Sequence, residues 1–141
     1  MATSSNLNLV AIALCVAVFC SSYASVVFAH GGEKVEAGKW HTKTLTLKKG
    51  DNWNQEECFS IEEKASVRYS FEAEIPVKFN FHSHPKRKDN QYSTNKMLDI
   101  EPALKLEEEN QMDVPGLYCF DFHPPTPVSQ DRVINLRYRI N

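Results

Sequence analysis

The chain has 141 residues, with 16 basic and 18 acidic side chains and a formal net charge of −2. That is the length of one domain, and every charged residue lies after Ala29, so the near-neutral balance belongs to the part that folds. Such a balance offers no electrostatic hold on phosphate and argues against nucleic acid as a partner.

Residues 7–28 contain no charge: an apolar run is followed by Ser21, Ser22, Tyr23, Ala24 and Ser25. An apolar core ending in small residues is the pattern of a signal peptide, here residues 1–29, although the usual basic start is missing. Cleavage fits after Ala24 or after Ala29. The second is preferred, because the first would leave Val26, Val27 and Phe28 in water. The rival reading is an uncleaved anchor, since about 20 apolar residues span a bilayer; membrane contact is expected only in that form. Residues 30–42, beginning His30-Gly31-Gly32, read as a flexible arm before a domain over residues 43–141.

Period-two alternation dominates that domain. Leu45 and Leu47 alternate with threonine and lysine; Val67, Tyr69 and Phe71 with Arg68, Ser70 and Glu72; Val77, Phe79 and Phe81 with Lys78, Asn80 and His82. The pattern returns over residues 117–123 and 134–140, and shorter strands are expected over 58–61 and 104–107. Each run suits a strand with one buried face. Lys49-Gly50-Asp51-Asn52, Ile75-Pro76, Val114-Pro115-Gly116 and Pro124-Pro125-Thr126-Pro127 mark the turns. Residues 101–110 are compatible with a helix by propensity alone, and the charged stretch within residues 85–95 reads as an exposed loop. The expected fold is all-β: an antiparallel sandwich of about seven to eight strands.

Cys15 and Cys20 fall in the leader, which leaves Cys58 and Cys119 as an even pair. In an exported domain their default state is a disulfide. Closing a loop of about 60 residues is worth roughly 4 kcal/mol in the chain-entropy model.

Glu57-Cys58-Phe59, Tyr69-Ser70-Phe71-Glu72-Ala73, the run from Pro76 to His82, Gly116-Leu117-Tyr118-Cys119-Phe120 and the final amphipathic strand resemble the Golgi-dynamics (GOLD) domain. That resemblance implies a lumenal or periplasmic β-sandwich with a binding role. It departs from the cargo receptors of that family, which continue into a coiled coil and a membrane helix, whereas this sequence ends at Asn141. A second, partial resemblance links Pro115-Gly116-Leu117-Tyr118-Cys119-Phe120 to the cupredoxins. There Phe122 stands where a copper-ligating cysteine is required, and no methionine follows His123.

Five histidines remain: His30, His41, His82, His84 and His123. Strand alternation puts His82 and His84 on one face with Asn80, and His123 on one face with Asp121 and Cys119. If the two strands are neighbours, three imidazoles converge at one end of the sandwich, a donor set suited to copper or zinc. Asp121 then serves as a further ligand or as a partner orienting a ring. Cleavage after Ala29 would expose His30 as an N-terminal histidine, similar to the histidine brace of copper oxygenases and copper-resistance carriers. No Gly-x-Ser-x-Gly, His-Glu-x-x-His or phosphate loop is present, and enzyme function is not expected. The leading expectation is an exported binding module that holds copper or zinc through His82, His84 and His123. The alternatives are a metal-independent adaptor that binds protein or cargo, and a copper carrier or oxygenase using His30.

Overall fold

The computed structural model describes residues 26–29, 34–50, 52–85 and 94–141. It is all-β: β1 (Val26–Ala29), β2 (Lys34–Glu36), β3 (His41–Leu47), β4 (Gln55–Ile61), β5 (Ala65–Pro85), β6 (Asn95–Met112), β7 (Gly116–His123) and β8 (Arg132–Ile140). All pairings are antiparallel. The strands follow the order β2-β1-β4-β7-β5-β8-β3, with β6 along the other edge of β5.

The 21-residue β5 organises this sheet. From Val67 to Ala73 it pairs with β8, and from Lys78 to Pro85 it pairs with β7. The handover falls at Glu74-Ile75-Pro76. A proline has no N–H to give to a ladder, and the register with β6 slips between Glu72 and Val77 and again before Phe79. Ile75-Pro76, expected as a turn between two strands, is therefore a bend within one. Pro102 of β6 lies beside Ala103, the partner of Val77, so both strands bend at the same corner. The bend curls one continuous sheet into two facing layers, β3-β8-β5 and β5-β7-β4-β1-β2.

Aromatic side chains fill the space between the layers. Tyr69, Phe71, Phe79, Phe81, Phe120, Phe122, Phe59 and Tyr138 are all buried. Each contributes on the order of 1.5–3 kcal/mol by leaving water. They meet as tilted, stacked and edge-on pairs 5.0–6.3 Å apart, the offsets that aromatic quadrupoles favour. These are the inward positions of the alternation read from the sequence, joined by Ile134, Leu136 and Ile140 of β8.

Three other expectations are corrected. Residues 101–110 are strand, not helix, because β6 runs the length of β5 and the ladder outweighs a weak local preference. Residues 95–112 all belong to β6, so the strand expected over 104–107 is far longer; of the expected loop, residues 86–93 lie outside the described residues. Within the stretch expected as an arm, β2 pairs with β1, and Val35 is buried in the core. No helix among the described residues is long and apolar enough to cross a membrane.

Candidate metal centre

With Phe79, Phe81, Tyr118, Phe120 and Phe122 turned inward, alternation forces Asn80, His82, His84, Cys119 and Asp121 onto the outer face of the same layer. Register then sets their neighbours. Asn80 lies opposite Asp121, which lies opposite Glu56; His82 lies opposite Cys119, which lies opposite Cys58. Two adjacent rows of polar and sulfur-bearing residues thus cross β5, β7 and β4. The expected Cys58–Cys119 disulfide is formed, between directly paired residues whose Cα atoms are 4.1 Å apart.

The two imidazoles meet tip to tip. His82 Nε2 lies 3.0 Å from His84 Nε2, with the ring planes at 88°. Glu56 Oε1 lies 3.3 Å from His82 Nε2. The opposite nitrogens are both engaged: His82 Nδ1–H donates to Asn80 Oδ1 at 2.8 Å, and His84 Nδ1 lies 3.3 Å from Thr94 Oγ1. A partner on Nδ1 fixes the ring and commits Nε2 to the site. Across the 3.0 Å contact one Nε2 donates and the other accepts. A tautomer change at His84, with Nδ1–H donating to the Thr94 hydroxyl, presents both lone pairs together.

His82 is only 8% exposed. Burial pushes its pKa below the ordinary imidazole value and the neighbouring His84 pushes the same way, while Glu56 and Asp121 partly oppose them. Burial thus favours the neutral ring, the form that coordinates a metal. Asp121 is half-buried, and its Oδ1 has no hydrogen-bond partner among the described residues.

The spacing suits a first-row ion. Bonds of 2.0–2.1 Å to nitrogen or oxygen in a tetrahedron put neighbouring donors roughly 3.3 Å apart, close to the observed separations. Glu56, His82, His84 and Cys119 each offer one donor atom, and all four atoms lie within 4.8 Å of one another. While Cys119 is bonded to Cys58, its sulfur carries no charge. The oxidised protein therefore offers two imidazoles and a carboxylate.

His123 does not join them. It lies opposite Lys78, four residues beyond Cys119, about 13 Å along the strand. The expected convergence fails because β5 and β7 are antiparallel: His84 and His123 both lie at the C-terminal ends of their strands, which puts them at opposite ends of the pair. His41 is engaged elsewhere, with Nε2 3.1 Å from the Glu36 carbonyl and its ring against Tyr138. His30 lies outside the described residues.

Glu56 and Thr94 were missed by the sequence reading. For Glu56 a signal existed. Pairing Cys58 with Cys119 across antiparallel neighbours also opposes Glu56 to Asp121 on the same face. Thr94 gave none.

A surface groove lies on the other layer, among Thr42, Ser70, Glu72, Lys105, Glu107 and Arg137. Its acidic and basic groups balance, and it contains none of the histidines. The chain matches no protein-family model and no curated protein, so any functional reading stands on the geometry of this face.

Proposed function

We propose that this chain is an exported β-sandwich module that binds a divalent transition-metal ion, zinc or copper, through His82, His84 and Glu56. One observation carries the reading: two Nε2 atoms 3.0 Å apart, each on a ring whose other nitrogen is engaged by a different neighbour. Rings held this way lose little freedom on coordination, because their orientation is set before the ion arrives. Two imidazoles and one carboxylate suit zinc and copper better than calcium or magnesium, which prefer all-oxygen shells. Three protein donors leave a coordination position for water or for a group on a partner molecule.

Export is supported by the charge-free leader and by the disulfide, a bond that persists in oxidising compartments. The GOLD-like assignment is supported by Cys58, Cys119 and the strand rhythm around them, and it agrees with a binding role. Calorimetric titration with Zn²⁺ and Cu²⁺ tests the metal reading. Binding of one ion per chain is expected in the wild type, and its loss in the H82A/H84A variant. Unchanged affinity in that folded variant would overturn the proposal.

A further inference from the structure

We infer that Cys119 is a fourth metal ligand held in reserve by its disulfide, so that reduction of Cys58–Cys119 converts the two-imidazole, one-carboxylate site into a tighter site containing a thiolate. The inference rests on the reading of His82, His84 and Glu56 as ligands and adds control of that site by redox state.

The argument begins with placement. Cys119 stands in the middle of its row, opposite His82 on one side and Cys58 on the other. Its Sγ belongs to the same cluster as one ring nitrogen from each of His82 and His84 and a carboxylate oxygen of Glu56. Tetrahedral zinc with a bond of about 2.3 Å to sulfur needs sulfur and nitrogen roughly 3.6 Å apart. A small side-chain rotation covers the difference once the cysteine is released. Its backbone stays in position, because β7 is laddered to β4 over residues 116–122 and to β5 over residues 116–123.

Donor chemistry supplies the rest. A disulfide sulfur is neutral and weakly donating, whereas a thiolate is anionic and suits zinc and Cu(I) better than imidazole or carboxylate does. The reductant is a dithiol. One of its thiolates attacks the disulfide, and a cyclic disulfide forms on the reductant as two electrons and two protons pass to Cys58 and Cys119. Metal binding then displaces the Cys119 thiol proton to solvent and forms the metal–sulfur bond. By linkage, a metal that binds the reduced form more tightly makes the disulfide easier to reduce. The site takes up metal on reduction and loosens its hold on oxidation.

Co²⁺ and Zn²⁺ titrations of the intact chain test this. The oxidised wild type is expected to bind Co²⁺ without a thiolate-to-cobalt charge-transfer band. After reduction the band should appear and affinity rise by roughly tenfold or more, as a thiolate replaces a weak donor. C58S, which leaves Cys119 free, should show the band, and C119S should not. As a second readout, the redox midpoint of the wild-type disulfide is measured with and without Zn²⁺. A tenfold preference for the reduced form shifts it by about 30 mV, and H82A/H84A should abolish the shift.

If the oxidised protein binds metal but reduction brings neither band nor tighter binding, the role of Cys119 is refuted and the three-donor site stands. A Zn²⁺-dependent shift that survives H82A/H84A also refutes it, since cysteines alone, folded or not, would then explain the effect. If the oxidised protein binds no metal, it is the three-donor reading that fails.

Discussion

His82 and His84 approach each other through their Nε2 atoms at 3.0 Å, while Asn80 and Thr94 hold the far side of each ring. The Asn80 bond is the shorter of the two and comes from the same strand face, two residues away. Removing it leaves both imidazoles present but frees one to rotate. Asn80→Ala is therefore expected to weaken Zn²⁺ binding about 10- to 100-fold, as loss of a ligand-orienting partner does. Calorimetry on a variant whose thermal unfolding matches the wild type checks this. Asn80→Asp, which keeps an acceptor, should recover most of the affinity.

The buried His82 also sets a pH dependence for the metal-free protein. Its pKa in the folded state is lowered, chiefly by burial and then by His84, against the partial opposition of Glu56 and Asp121. Lys96, its register partner on β6, carries a positive charge that is paired with Asp99. Because the folded pKa lies below the unfolded one, protons bind the unfolded chain more readily. The contribution is fully present above about pH 6.5, the ordinary histidine value, and is lost as pH falls through it and past the lowered folded value. Denaturant unfolding from pH 8 downward should show this loss, and H82N should flatten the profile over that window. Zn²⁺ binding should weaken over the same range as protons compete for the rings.

The disulfide joins residues 61 apart in sequence. Restricting the unfolded chain to that loop gives about 4 kcal/mol in the chain-entropy model. C58A/C119A should lower the unfolding free energy by that order, read from equilibrium urea denaturation.

Phe120 sits at the centre of the aromatic layer, with ring contacts to Phe59, Tyr69, Phe79, Phe81 and Tyr138. These partners come from both layers. Phe120→Ala is expected to cost roughly 3–5 kcal/mol, because so many fixed rings cannot close over the cavity. Phe120→Leu should cost less, and comparison of the two by thermal unfolding separates lost volume from lost hydrophobicity.

The strand pairing also bears on the leader. Among the described residues β2 pairs only with β1, and β1 in turn pairs with Phe59 and Ser60 of β4. Cleavage after Ala29 would strip β2 of its ladder, whereas cleavage after Ala24 keeps it. If the leader is cleaved, mass spectrometry of the mature chain is expected to show Ser25 at the N-terminus, not the His30 start preferred from the sequence. A chain beginning at His30 would contradict this and restore the N-terminal histidine as a copper ligand.

Much of the architecture could be read from the residues in order. Alternation at Val67-Tyr69-Phe71, Val77-Phe79-Phe81 and Tyr118-Phe120-Phe122 named the inward face, and the structure buries those rings. The same alternation put His82, His84, Cys119 and Asp121 outside. What it did not show was that two of these runs form one bent strand. Pro76 interrupts pairing without ending the chain's extended course, and a proline read locally looks like a stop.

The candidate site divides in the same way. That His82 and His84 share a face follows from their spacing, since side chains two apart on a strand point the same way. Which residues join them depends on strand order, direction and register, contacts between segments far apart in the chain. Antiparallel pairing of β5 with β7 carries His123 to the far end, and pairing of β4 with β7 brings Glu56 in. Facing is a property of each strand alone, set by the geometry of the peptide unit. Convergence is a property of the folded sheet, because no local pattern encodes which distant edge a strand will find.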